Sequence, residues 1–395
     1  MLELARRLIS PSGRSDVPPF MVMDVMAAAA RIEAAGGRVI HMEVGQPAAP
    51  APASAIAAAR AALAGPLRYT ESLGIPSLRA RIARHYHERY GAVVDPARII
   101  VTTGSSAGFV LAFLTLFDPD DRVAVAVPGY PPYRHILKAL GCEAVLIETT
   151  AATRFAITPD TLIAAHRRAP LKGVLVASPA NPTGTMMTAQ ALHDLHAAAE
   201  REGIRFISDE IYHGLDYAFA ADTAARLSEN AIVINSFSKY FCMTGWRVGW
   251  MLVPDELVRP VDRLQGNLAI SVPTLSQIAA EAAFEGRAEM EAIKHGYEEN
   301  RRILVEGLPK VGLEEFLPVD GAFYLYADVS RFSSDSFDFA RRMLEEAHVA
   351  ATPGVDFDPI EGRHFIRFCY AGSAAEMHEA VERIGKWLGR WLGSK

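Results

Sequence analysis

The chain is 395 residues long, with 50% hydrophobic and 22% charged residues, which excludes a disordered protein and leaves enough apolar side chain for a large core. Lys and Arg total 40 against 46 Asp and Glu, a net charge of −6, so there is no overall electrostatic case for nucleic acid or an anionic membrane surface. Cys142, Cys242 and Cys369 are widely spaced and form no Cys-x-x-Cys pair, which points away from a disulfide scaffold or zinc site and toward a reducing compartment.

At the amino end, MLELARRLISPSGRSDV has an arginine pair with no apolar run behind it, so no secretory signal is read there. No stretch approaches the ~18 consecutive apolar residues of a membrane span, and a cytoplasmic location is expected. FMVMDVMAAAARIEAAGGRVIHMEVGQP reads as helix, Gly-Gly, strand. The Ala/Pro-biased stretch that follows ends in SAIAAARAALAG, a good helix former behind a Ser54 cap. From about residue 98, short apolar runs recur: RIIVTT (98–103), RVAVAV (122–127), AVLIET (144–149), GVLVAS (173–178), RFISD (205–209), AIVINS (231–236) and RVGWMLV (247–253). Helical patterns lie between several of them, such as AQALHDLHAAAEREG, with Leu192, Leu195 and Ala199 on one face. Continuous apolar strands alternating with amphipathic helices predict an α/β fold, a mostly parallel sheet flanked by helices. After Gly286 come long charged helices and two isolated strands, GAFYLYADVS and HFIRFCYAG, the texture of a smaller α+β unit. At roughly 150 residues per domain, the expected division is an N-terminal arm contributing to the small domain (1–48), a large ligand-binding domain (49–285) and a C-terminal small domain (286–395).

Ligands of open α/β sheets bind beyond the carboxyl ends of the strands. After the run at 98–103, Gly104-Ser105-Ser106-Ala107-Gly108 opens an apolar helix and forms an anion cup suited to phosphate. The same five residues match the Gly-x-Ser-x-Gly elbow of a hydrolase, with Ser106 as nucleophile. Pro128-Gly129-Tyr130-Pro131-Pro132-Tyr133 is a rigid turn able to offer a ring face to a flat ligand. Asn181 is an amide between prolines, and Asp209 is a carboxylate ending an apolar strand, costly without a cationic partner. Glu210 reads as a solvated or ion-paired surface residue, and the pair His193 and His196 as a solvated surface. Only seven of the 40 basic residues are lysine, and Lys239 alone follows a central strand, where desolvation makes an amine nucleophilic. A phosphate cup, an aromatic plate, a donor amide, a carboxylate, a hydroxyl and an amine together suit a flat, phosphorylated, cationic aldehyde, pyridoxal phosphate.

SPANPTG, SDEIYHGLDY, SFSKYFCMTGWRVGW and HFIRFCYAG stand in the order found in the fold-type I, class I/II aminotransferases, which the chain closely resembles over nearly its whole length. The resemblance implies a pyridoxal-phosphate enzyme moving an amino group between an α-amino acid and a 2-oxo acid by a ping-pong route. By that resemblance Lys239 carries the cofactor in a Schiff base and shuttles the Cα proton, and Asp209 pairs with the pyridinium. Tyr212 and Asn181 bond the phenolic oxygen, and Tyr130 stacks on the ring. Ser105, Ser106, Ser236, Ser238 and Arg247 hold the phosphate, while Arg367 clamps the substrate α-carboxylate with Gly45 and Asn181 nearby. Tyr69 resembles the tyrosine that reaches a phosphate across a dimer interface, so a homodimer with shared active sites is implied.

Substrate choice is read less directly. The lysine that some dicarboxylate-specific members carry near the position of Ser106 is missing, and NLAISVPTLS (267–276) has no charge, which favours neutral or aromatic amino acids. A pyridoxal-phosphate-dependent β-lyase on the same scaffold is the nearest alternative. The Ser106 hydrolase would leave Lys239, Asn181 and Asp209 idle. A DNA-binding regulator of this fold would need a domain ahead of it, and about 45 residues leave no room for one.

Overall fold

The computed structural model describes residues 10–392. A helix at Met21–Ala34 leads to a two-residue strand, β1 (Ile40–His41), and helices at Ala53–Ala62 and Pro76–Tyr90 follow. Ser54 does not cap the first of these. The helix begins at Ala53 behind Pro52, and the Ala53 amide instead donates to the Glu289 carboxylate 3.0 Å away. A carboxylate from a distant helix has taken the place of the local cap, which is equally favourable at a helix amino terminus.

The central sheet comprises β2 (Ile99–Thr102), β3 (Arg122–Val127), β4 (Glu143–Glu148), β5 (Gly173–Ala177), β6 (Arg205–Asp209), β7 (Ile232–Ser236) and β8 (Gly249–Leu252). Their order is β2-β8-β7-β6-β5-β3-β4. β8 runs antiparallel to both its neighbours, and the other pairings are parallel. Each of the seven apolar runs in the sequence is a strand: those at 122–127 and 205–209 match residue for residue, and the other five are trimmed or shifted by one or two residues. Alternate residues feed two separate cores: Val174 and Val176 pack on one face of β5, Leu175 on the other. Burial on both faces explains why the strands read as continuous apolar runs.

Beyond the long helix Arg287–Gly307, β9 (Tyr324–Asp328), a helix at Ser336–Arg342, β10 (Val349–Ala350), β11 (Thr352–Pro353), β12 (Phe365–Cys369) and a helix at Ala374–Leu392 complete the chain. The order β11-β12-β9 is antiparallel throughout, while β1 pairs in parallel with β10. Ala29 and Val39 pack with Leu344 and Ala350. The amino-terminal segment is thereby stitched to the carboxyl-terminal elements.

Candidate active site

The parallel strands deliver their carboxyl ends to one edge of the sheet, and the site is assembled there. β6 ends on Asp209, which is 3% exposed. Its Oδ1 accepts from the Ile211 amide at 3.1 Å and its Oδ2 accepts from the Tyr133 hydroxyl. Burial pushes its carboxyl up to about 6 despite those two bonds and the nearby Lys239. Such a group awaits a cation. Three residues past β7, Lys239 donates from Nζ to the carbonyl oxygen of Gly45. Burial lowers its amine to about 8, with Arg367 and Arg247 acting in the same direction.

Past β2, the helix Gly104–Leu116 turns its amino terminus to the same space. Gly104 has φ +72°, and a Cβ on it would stand 2.4 Å from Nη2 of Arg247. Arg247, itself at φ 50°, therefore lays its guanidinium against the first turn, beside amides that have no partner within the helix. The cation and those free N–H groups make one anion seat. From the turn after β3, Tyr130 meets Phe20 edge-on with ring centres 6.0 Å apart. From the turn after β5, the Asn181 carbonyl accepts from Arg367 Nη1 at 2.9 Å, which leaves Nδ2 to donate into the cavity.

Arg367 is central in β12 and 2% exposed. Its Nη2 donates to the Glu43 carbonyl and, at 3.1 Å, to Thr352 Oγ1. The guanidinium is held between the Tyr324 and Phe357 rings, 4.5 and 4.6 Å from their centroids. Its Nε is buried and has no hydrogen-bond partner among the described residues. A buried cation with a spare donor is arranged to receive a carboxylate.

These groups surround one cavity of about 540 Å³, within the usual range for small-molecule sites. Its walls include Gly45, Ser105, Ser106, Tyr130, Asn181 and Asp209, and also Tyr212, Ser238, Lys239, Arg247 and Arg367. Two expected residues are not on that wall. Ser236 lies behind it, accepting from the Ser238 amide at 3.1 Å, and Tyr69 is 80% exposed and turned outward. No histidine is among the lining residues, so Ser106 lacks the imidazole base of a Ser-His-Asp hydrolase.

Some expectations fail here. Glu210 is not a surface residue: it is 1% exposed and accepts from Ser208, Thr223 and the Ala224 amide, and burial raises its carboxyl to about 8. His196 is 5% exposed and meets Phe206 edge-on instead of facing water. Sequence reasoning assigned no role to Tyr324, Phe20 or Met23, and none to Tyr133 beyond its place in the aromatic turn; all four line the cavity. A usable signal existed for Tyr133, which stands three residues after Tyr130 at a helix start and so shares its face. Tyr324 and Tyr326 alternate along β9, so one face of that strand is phenolic.

The set fits a phosphorylated pyridine aldehyde: an anion seat with a glycine where a Cβ would collide, a ring-facing tyrosine, an amine and a buried carboxylate. The chain belongs to the class I and II aminotransferase family, whose model matches residues 38–384. It is a pyridoxal-phosphate-dependent aminotransferase. It is 50% identical over 380 residues to a valine–pyruvate aminotransferase of Mycobacterium tuberculosis, covering 95% of this chain and 97% of the relative. It is 34% identical to a (5-formylfuran-3-yl)methyl phosphate transaminase of Methanocaldococcus jannaschii, covering 94% and 97%. Among solved structures, an aminotransferase from Mycobacterium tuberculosis superposes with a TM-score of 0.94 at 49% identity, covering 96% of this chain and 99% of the other. Nothing in these relatives supports the β-lyase alternative.

Proposed function

We propose that this enzyme passes the amino group of a neutral, apolar α-amino acid, with valine as the leading donor, to pyruvate. One observation carries the proposal. The charged groups lining the cavity are Asp209, Lys239, Arg247 and Arg367, and each has a task common to all substrates. No further cation is left on that wall for a distal carboxylate. The remaining rim near the amino terminus is Phe20, Val22, Met23 and Val44, which matches an aliphatic side chain. The name of the 50%-identical relative supports the same pair of substrates.

In this reading Ser105, Ser106, Ser238 and Arg247 hold the cofactor phosphate, with Ser236 fixing Ser238 from behind. Tyr130 covers the ring, Asn181 and Tyr212 meet its phenolic oxygen, and Asp209 keeps its nitrogen protonated. The cofactor, when bound, supplies an electron sink for the pair left at Cα. Lys239 carries the cofactor and moves the proton at Cα; its lowered basicity supports that role. Arg367 takes the α-carboxylate beside Gly45 and Asn181. Orientation of the Cα–H bond follows from that clamp.

A homodimer belongs to the same proposal. Tyr69 shares a strap with the exposed Leu67, Leu268 and Ile270, tied by the Thr274 hydroxyl bonding the Arg68 carbonyl and the Thr70 amide bonding Ser271. That surface suits a second copy, with Tyr69 reaching the partner's phosphate. A small domain drawn from 1–48 and 286–395 around a large one at 49–285 is favoured by the β1–β10 pairing. A cytoplasmic location is favoured by three free, buried cysteines. No helix among the described residues is long and apolar enough to cross a membrane.

The test is a panel of amino donors against pyruvate, 2-oxoglutarate and oxaloacetate. Valine with pyruvate should give the highest kcat/KM, and aspartate and glutamate should trail by at least about 100-fold, the cost of leaving a charge unpaired in such a pocket. Preference for a dicarboxylate would overturn the assignment.

A further inference from the structure

Tyr324, on β9, is 1% exposed, and its hydroxyl oxygen lies 2.6 Å from that of Tyr212. Its ring face carries the Arg367 guanidinium at 4.5 Å. A Cβ on residue 45 would stand 1.8 Å from the same hydroxyl, so the glycine is what gives it room. The two rings cross at 80°, which fixes how the hydroxyls meet.

Two phenols bonded to each other hold two protons and use one between them. The other needs an acceptor elsewhere. Among the described residues, neither hydroxyl has another side-chain or backbone acceptor. The surrounding charges decide which oxygen gives. Arg367 stands directly over the Tyr324 ring and makes that phenol the more acidic of the two. The titratable groups facing the pair are Arg367 and Cys369 from β12, Tyr130 from the turn after β3, and Lys239, whose Nζ is 5.9 Å from the Tyr212 ring centroid. Asp209 stands at the end of the neighbouring strand.

We infer that Tyr324 donates to the Tyr212 oxygen and thereby keeps the Tyr212 proton aimed into the cavity, toward the phenolic oxygen of the bound cofactor. Tyr324 is then a positioning residue that acts through Tyr212. The inference rests on the placement of Tyr212 at that oxygen. Its chemical consequence is a more strongly stabilised phenolate, so the bound chromophore gives up its proton at lower pH.

Absorbance titration of the holoenzyme in the near-visible reads this without turnover. Tyr324→Phe keeps the ring, the stack on Arg367 and the space left by Gly45, and removes only the hydroxyl. The midpoint should rise by about one pH unit, in the same direction as for Tyr212→Phe but by less. The Kd of a carboxylate inhibitor, isovalerate, should change less than about twofold, because the clamp is untouched. A Tyr324→Phe midpoint equal to that of the wild type, with Tyr212→Phe displaced, overturns the role of Tyr324 and leaves the assignment of Tyr212 standing. A midpoint unmoved in both variants overturns the two together. A displaced midpoint with isovalerate weakened about tenfold or more assigns the effect to the seat of Arg367, which also overturns the inference.

Discussion

Tyr133 and the Ile211 amide grip opposite oxygens of Asp209, yet burial still holds that carboxyl near 6, above its ordinary 3.8. A stability signature follows in the cofactor-free protein. As pH rises from about 4 to about 6, the unfolded chain releases this proton before the folded one does, so stability falls across that window and levels off above it. Asp209→Asn cannot ionise and escapes the loss. Melting of the two cofactor-free proteins should coincide near pH 4, with the variant more stable by about 1–3 kcal/mol at pH 7.5. With cofactor and substrates, the same variant should lose several orders of magnitude in turnover, because the charge proposed to keep the ring nitrogen protonated has gone. A cofactor-free wild type that is the more stable partner at pH 7.5 would refute the argument.

Lys239→Ala should remove the near-visible yellow band and abolish turnover while leaving the melting transition in place. Borohydride reduction followed by peptide mapping checks the position independently. A label on any of the other six lysines would show the assignment to be wrong.

Arg367→Lys separates binding from chemistry. The charge remains, but the planar fork that meets Asn181, Glu43 and Thr352 is lost. The variant should keep its cofactor and colour, since the phosphate seat lies elsewhere. Its kcat/KM should fall by about 2–4 kcal/mol, equally for every accepted donor. A penalty that depends on the donor's side chain would show that Arg367 reads that side chain instead.

Gly104→Ala tests the anion seat without touching a charged group. The backbone there has φ +72°, and the new methyl would meet Arg247 Nη2 at 2.4 Å, so the guanidinium must leave the helix start. Cofactor affinity measured on the apoprotein should weaken at least tenfold, the scale of one displaced charge-assisted contact. Unchanged affinity would mean that Arg247 does not hold the phosphate.

The sheet could be read from sequence because strands buried on both faces appear as short, β-branched apolar runs recurring between helical patterns, and all seven runs proved to be strands. The cavity residues from Ser105 to Lys239 were legible for a related reason: they stand at or just past the ends of such runs, and strand ends of an open sheet converge. Gly45 and Arg367 were read instead from the family resemblance, and Tyr324 not at all. Glu210 was not legible. Its donors Thr223 and Ala224 lie 13 and 14 residues away in sequence, in a loop with no periodicity to read. The Ser54 cap failed in the same way: the Ala53 amide is met instead by Glu289, 236 residues further on. Local pattern fixes elements, whereas partners brought by distant segments stay hidden until the chain is folded.

Arg367 bonds a carbonyl 324 residues earlier in the chain, and that span dictates an order of events at the ribosome. Every residue assigned to the cofactor within one subunit lies between Ser105 and Arg247, so a nascent chain presents the whole cofactor seat before the substrate clamp has been translated. A chain terminated between β8 and β12 should therefore carry every residue assigned to the cofactor yet have nothing with which to seize an amino acid. Catalytic competence comes only once β12 has been made.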